Sequence, residues 1–98
     1  MESIEVELIF MRLEEAVKQD DRPIIIACCN ELSYYENELD NKIKCALYYA
    51  LALAHLREEN YLLSYKAIEQ SIRIENNEMG RSIMDVVKKK IVEDTSVR

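Results

Sequence analysis

Residues 45–77 read CALYYALALAHLREENYLLSYKAIEQSIRIENN, and this stretch decides the fold. Cys45 to Ala54 is wholly apolar, so a helix here is apolar almost all round and must be covered on more than one side. With Asp40 as its cap, that helix is predicted over about 41–56. Arg57-Glu58-Glu59-Asn60 is a polar break. A connection this short makes the following helix, about 61–75, an antiparallel neighbour. Tyr61, Ser64, Tyr65, Ile68 and Ile72 share one face of it.

Working outward, Val6, Ile9, Phe10, Leu13, Ala16 and Val17 recur at spacings of three and four and predict a helix over about 3–19. Ser3 is its expected N-cap, with Glu5 and Glu7 at the positive end of the helix dipole. Asp21 is placed to cap a second helix, about 23–37, whose first turn takes Pro23 without losing a hydrogen bond. Its stripe is Ile25, Cys28, Cys29, Leu32 and Tyr35, with Leu39 beyond. Ile24-Ile25-Ile26 alone reads as a strand, but the helical spacing continues for three more turns. A fifth helix, about 78–92, carries Ile83, Val86, Val87 and Ile91 on one side and Lys88-Lys89-Lys90 near its end. The fold class is therefore all-α, with about five antiparallel helices in a single domain over 1–98.

Composition agrees. One Gly and one Pro in 98 residues leave no turn chemistry for a sheet of hairpins. A net charge of −6 lacks the basic surplus that phosphate contacts require, so direct nucleic-acid binding is not expected. The acidic start, Met1-Glu2-Ser3-Ile4-Glu5, is not a secretory signal, and the apolar run is too short to cross a bilayer. Three cysteines without a CxxC pair read as reduced thiols, which gives a cytoplasmic expectation with no membrane association.

The central pair of helices resembles one tetratricopeptide repeat. That family's unit of about 34 residues spaces an aromatic, Leu, Gly and a second aromatic on its first helix, then Ala, an aromatic and Pro on its second. The matching residues are Tyr48, Leu51, Ala52 and His55, then Ser64, Ile68 and Ser71, with Asn76 where Pro would stand. Only Leu51 is an identity; the others agree in size, except Asn76, a departure that can end a helix but does not enforce the break as Pro does. Ala52, Ser64 and Ser71 are small enough to let two helices approach closely. A degraded copy is read before it, with Phe10, Leu13 and Val17 on its first helix and Cys28 and Leu32 on its second. In that alignment its turn is about two residues longer and Glu14 occupies a small-residue position. The last helix stands as a terminal cap.

The resemblance implies a non-catalytic interaction module, an adaptor or regulator that binds a peptide or helix of a partner protein along the surface made by its first helices. Carried onto this chain, that surface is Ala46, Tyr49, Leu53, Leu56 and Arg57, continued by Met11, Glu15 and Lys18. Two alternatives stand beside it. One is a small chaperone that shields a partner's hydrophobic helix, as in secretion systems. The other is an acidic inhibitor that mimics nucleic acid. Self-association is a further expectation, because a short solenoid exposes apolar faces at both ends.

Catalytic and metal readings are weaker. His55, the only histidine, has Leu51, Ala52, Glu58 and Glu59 one turn away and reads as a helix-contact residue. Adjacent Cys28 and Cys29 point to different sides of a helix and cannot close a tetrahedral site alone. Glu14-Glu15, Asp20-Asp21 and Glu58-Glu59 read as solvated faces and caps. No enzyme activity, cofactor or metal is expected.

Overall fold

The computed structural model describes residues 4–96, side chains to residue 94. Its helices are α1 (Ile4–Gln19), α2 (Arg22–Ser33), α3 (Asn41–Arg57), α4 (Tyr61–Ile74) and α5 (Glu78–Ser96), with a single 3-10 turn at Glu36–Glu38 before α3. No strand occurs among the described residues, and the all-α expectation holds. The expected cap Ser3 lies outside the described residues.

Two predicted caps are in place. Asp40 Oδ1 accepts from the Ile43 N–H at 2.9 Å, and Asp21 Oδ1 accepts more weakly from Ile24 N–H at 3.4 Å. Two boundaries need correction. α2 stops at Ser33 rather than running on to 37. Its end tightens because Tyr34 and Tyr35 donate to carbonyls three residues back, and Ser33 Oγ donates to Asn30 O at 2.6 Å. Tyr35 Oη then reaches Glu5 of α1 at 2.7 Å. This departure from the helix axis is what delivers Leu39, 6% exposed, into the core. α5 instead continues past 92 to Ser96.

Each helix packs on the next in the chain, and α3 also touches α5, so the molecule is drawn out to 48 × 27 × 20 Å. The core has two parts. The larger joins Val6, Ile9, Leu13 and Ala16 of α1 to Ile25, Cys28, Cys29 and Leu32 of α2 and to Leu47 and Ala54 of α3. The smaller, around Ala52, Ala67 and Ile68, joins α3 to α4 and takes in Ile83 and Met84 of α5. α3 is thus covered on more than one side, as its sequence requires. Val17 and Val86, expected in buried stripes, are 53% and 44% exposed. Val17 lies at the rim of a hollow with Ile25 and Leu53 rather than within the core.

The turns of the two hairpins are the same motif. After α1, Asp20 takes a left-handed φ of 52°, donating its N–H to Val17 O, while Asp21 N–H reaches back to Ala16 O. After α3, Glu59 takes φ of 63°, donating to Leu56 O, while Asn60 N–H reaches back to His55 O. Both are Schellman closures built without glycine. The step from 20 to 59, 39 residues, also carries the buried set of α2 (Ile25, Cys28, Cys29, Leu32) onto that of α4 (Ser64, Ala67, Ile68, Ser71). This corrects the longer first turn expected from sequence. Leu13, not Glu14, is the counterpart of Ala52, and Cys28 and Leu32 correspond to Ala67 and Ser71. The step exceeds the tetratricopeptide spacing of about 34 residues.

At the other end, Asn77 Oδ1 accepts from Gly80 N–H at 2.6 Å and fixes the start of α5. A Cβ on Gly80 would lie 3.2 Å from Ile72 Cγ1, so glycine there lets α5 approach α4 closely.

Candidate functional site

α3 positions five of the eight residues singled out from sequence, and its tight seam with α4 explains which of those five face outward. Ser64 Oγ donates to Ala52 O at 2.7 Å, and Ser71 Oγ donates to Cys45 O at 3.0 Å. These two hydroxyls, two turns apart on α4, draw the helices together over small side chains. The bulkier residues of α3 are left on the sides that look toward α2, toward the end of α1 and toward α5.

Toward α5, Ala46 and Tyr49 line a hollow of about 370 Å³ whose other walls include Lys42, Cys45, Asn77 and Met79. Tyr49 is half-buried, and Met79 is 63% exposed at the rim. The hollow is lined mainly by apolar surface, with a hydrogen-bonded group of side chains within it. Cys45 Sγ lies 3.1 Å from Ser71 Oγ, and Asn77 Nδ2 donates to it at 3.5 Å.

Toward α1, Leu53 and Arg57 border a smaller hollow of about 140 Å³ with Val17, Asp20 and Ala50. Arg57 is not a free cation there. Its Nη1 is 2.7 Å from Asp20 Oδ1, and in parallel Arg22 Nε is 3.0 Å from Glu58 Oε1. The two pairs tie the α1–α2 turn to the α3–α4 turn. Both are exposed and contribute little to stability, so a partner's charge can exchange with either. Farther along α1, Met11 lines a third hollow of about 440 Å³ with Glu7, Phe10 and Ile43.

Ala46, Tyr49, Leu53, Arg57 and Met11 are therefore distributed over three depressions flanking α3 rather than one continuous groove. Glu15 stands apart, accepting from Gln19 Nε2 at 2.9 Å and lining a hollow with Arg12 and Ile24. Lys18 is exposed and Leu56 half-buried, and neither lines any of these hollows. Sequence reasoning missed Met79 and Cys45 as neighbours of Tyr49, and Ile43 as a neighbour of Met11. The turn that brings Asn77 and Met79 back against α3 carries no periodic signal.

The reactive groups are arranged as packing. Cys28 and Cys29 are fully buried, and burial raises both thiols, that of Cys29 to about 12. Cys29 Sγ points at Leu47 O, 3.7 Å away. His55 is buried with no protein partner on Nδ1, and burial lowers its pKa. Tyr48 is raised by burial and then by Glu36, and Tyr35 by its hydrogen bond to Glu5. No cluster of three His, Cys, Asp or Glu residues suited to a metal ion occurs among the described residues. No helix among them is long and apolar enough to cross a membrane. Comparison with protein-family models, curated proteins and solved structures finds no match to this chain.

Proposed function

We propose that this protein is a non-catalytic binding module that captures a peptide or helix of another protein on the exposed sides of α3. The observation that carries this reading is Tyr49. It is a half-buried aromatic on the central helix, set in a hollow of about 370 Å³ beside Ala46 and Met79. Large aromatics that are held on rigid helices, with part of their surface open, are the residues that anchor protein interfaces. Arg57, paired to Asp20 on the neighbouring side, supplies a cation that an acidic group of the partner can take over. The tetratricopeptide resemblance supports the same use of first helices.

Capture of a native partner, quantified by titration, is expected to weaken by about tenfold or more for Tyr49→Ala, as for an interface anchor. Ala46→Glu, which places a charge in the same hollow, is expected to do likewise. Capture unchanged by both substitutions would remove α3 as the binding surface.

A second reading, a chaperone for a partner's hydrophobic helix, draws on Leu62 and Val92. They are 68% and 63% exposed, far from Tyr49 along the chain. Under that reading Leu62→Gln, and not Tyr49→Ala, reduces capture.

A further inference from the structure

α1 carries a second apolar stripe. Ile4, Leu8 and Met11 follow at i, i+4 and i+7 on the side opposite Val6, Ile9, Leu13 and Ala16, and they are 74%, 53% and 64% exposed. The 39-residue step from Asp20 to Glu59 identifies what this stripe is. It carries Ile4 to Ile43, Leu8 to Leu47, Met11 to Ala50 and Glu15 to Ala54. On α3 those four residues make the face that receives α2. Leu47 and Ala54 are each 3% exposed, and Ile43 and Ala50 pack against the same core as Cys29 and Leu32. α1 thus repeats the surface by which one hairpin accepts the second helix of the hairpin before it. Among the described residues nothing covers that surface.

We propose that the Ile4–Leu8–Met11 face docks an amphipathic helix of another protein, apolar along one side and basic along its margins. The occupant is a helix because the repeated face on α3 is filled by one. Charge sets its margins and argues against a second copy of this chain. Glu7, Glu14 and Glu15 lie along the stripe, against Arg12 and Lys18, while Glu5 is held by Tyr35 Oη and Arg12 Nη1 already lies 3.6 Å from Glu31. Two copies meeting here would oppose one acidic border with another, whereas lysines or arginines on the incoming helix neutralise it. Glu15, standing where α3 has Ala54, places a carboxylate at the end of the stripe itself and calls for a cation facing it. This edge of the helix stack is separate from the α3 hollow around Tyr49 and does not depend on it.

The test uses the full chain and a fluorescent synthetic peptide of leucine and lysine, with leucines at i, i+4 and i+7. A peptide of the same composition in scrambled order and a leucine–glutamate version serve as controls. Anisotropy titrations are expected to show binding of the patterned leucine–lysine peptide alone. Ile4→Gln combined with Leu8→Gln should weaken it by at least about tenfold. Glu15→Gln should weaken it a few-fold and flatten its dependence on salt. Tyr49→Ala should leave it unchanged, which separates this face from the α3 surface. Both substituted apolar positions are solvent-exposed, and circular dichroism of each variant checks that it stays folded. The proposal is overturned if the scrambled peptide binds equally or if the double substitution has no effect. It is equally overturned if sedimentation shows a dimer that Leu8→Gln dissociates, because the occupant is then a second copy.

Discussion

Hairpin α1–α2 and hairpin α3–α4 turn through the same hydrogen bonds and bury the same positions of their second helices, yet they close by different chemistry. In the first, Ile25, Cys28, Cys29 and Leu32 fill the space against Val6, Ile9, Leu13 and Ala16. In the second, serines stand at the places of Ile25 and Leu32, and their hydroxyls bond directly to the α3 carbonyls of Ala52 and Cys45. Bulk holds one pair of helices apart at a packed distance. Small polar side chains let the other pair close until backbone comes within reach. A shared turn therefore does not dictate the interface, and the side chains at two positions decide how near two helices stand.

The largest expected effect comes from forcing the first hairpin toward the chemistry of the second. Leu32 is fully buried, and Leu32→Ser replaces its branched chain in the packed first hairpin with a short polar one. Urea unfolding is expected to show a loss of about 4 kcal/mol, from the cavity and the burial of a hydroxyl together. The reverse exchange should be milder. Ser64→Val adds methyl groups where Ser64 is fully buried and 2.7 Å from Ala52 O. Overpacking plus the lost hydrogen bond is expected to cost about 2 kcal/mol by the same measurement. If both substitutions prove neutral, the two interfaces are interchangeable and the contrast collapses.

The smallest effect sharpens a further difference. His55 occupies the position that Ala16 holds in the first hairpin. Burial lowers its pKa from 6.5, so the unfolded chain binds the proton more readily than the folded one. The stability linked to this group is intact above its unfolded pKa near 6.5 and is lost as pH falls through the lower, folded value. Unfolding midpoints measured above and below that range should fall further for the parent than for His55→Gln. Equal falls would show that the imidazole binds its proton equally in the folded and unfolded chains.

Helix number, the caps Asp21 and Asp40, and the close seam at Ala52 and Ser64 were legible because each depends on residues near in sequence or on side-chain size. The end of α2 was not. It is set partly by Tyr35 reaching Glu5, thirty residues away. The register of the first hairpin was also hidden, because the left-handed residues Asp20 and Glu59 are acidic where glycine would have marked the turn. Of the candidate site, Ala46 and Tyr49 came from the tetratricopeptide resemblance, since a helix apolar almost all round gives no outward face by spacing alone. The pairing of Arg57 with Asp20 could not be read, since it exists only when the two turns lie side by side. The Ile4–Leu8–Met11 spacing was present in the sequence but interleaves with the stronger Val6–Ile9–Leu13 stripe, which absorbs the periodic signal.

Because the closures at Asp20 and Glu59 use backbone bonds and no special residue, the chain behaves as a modular alphabet. Its word ends are written in conformation while its letters remain free. Lengthening such a molecule needs only another hairpin spliced in at a closure, each arriving with its own choice of apolar or hydroxyl seam. The array would then grow by whole units of 39 residues, the step from one closure to the next.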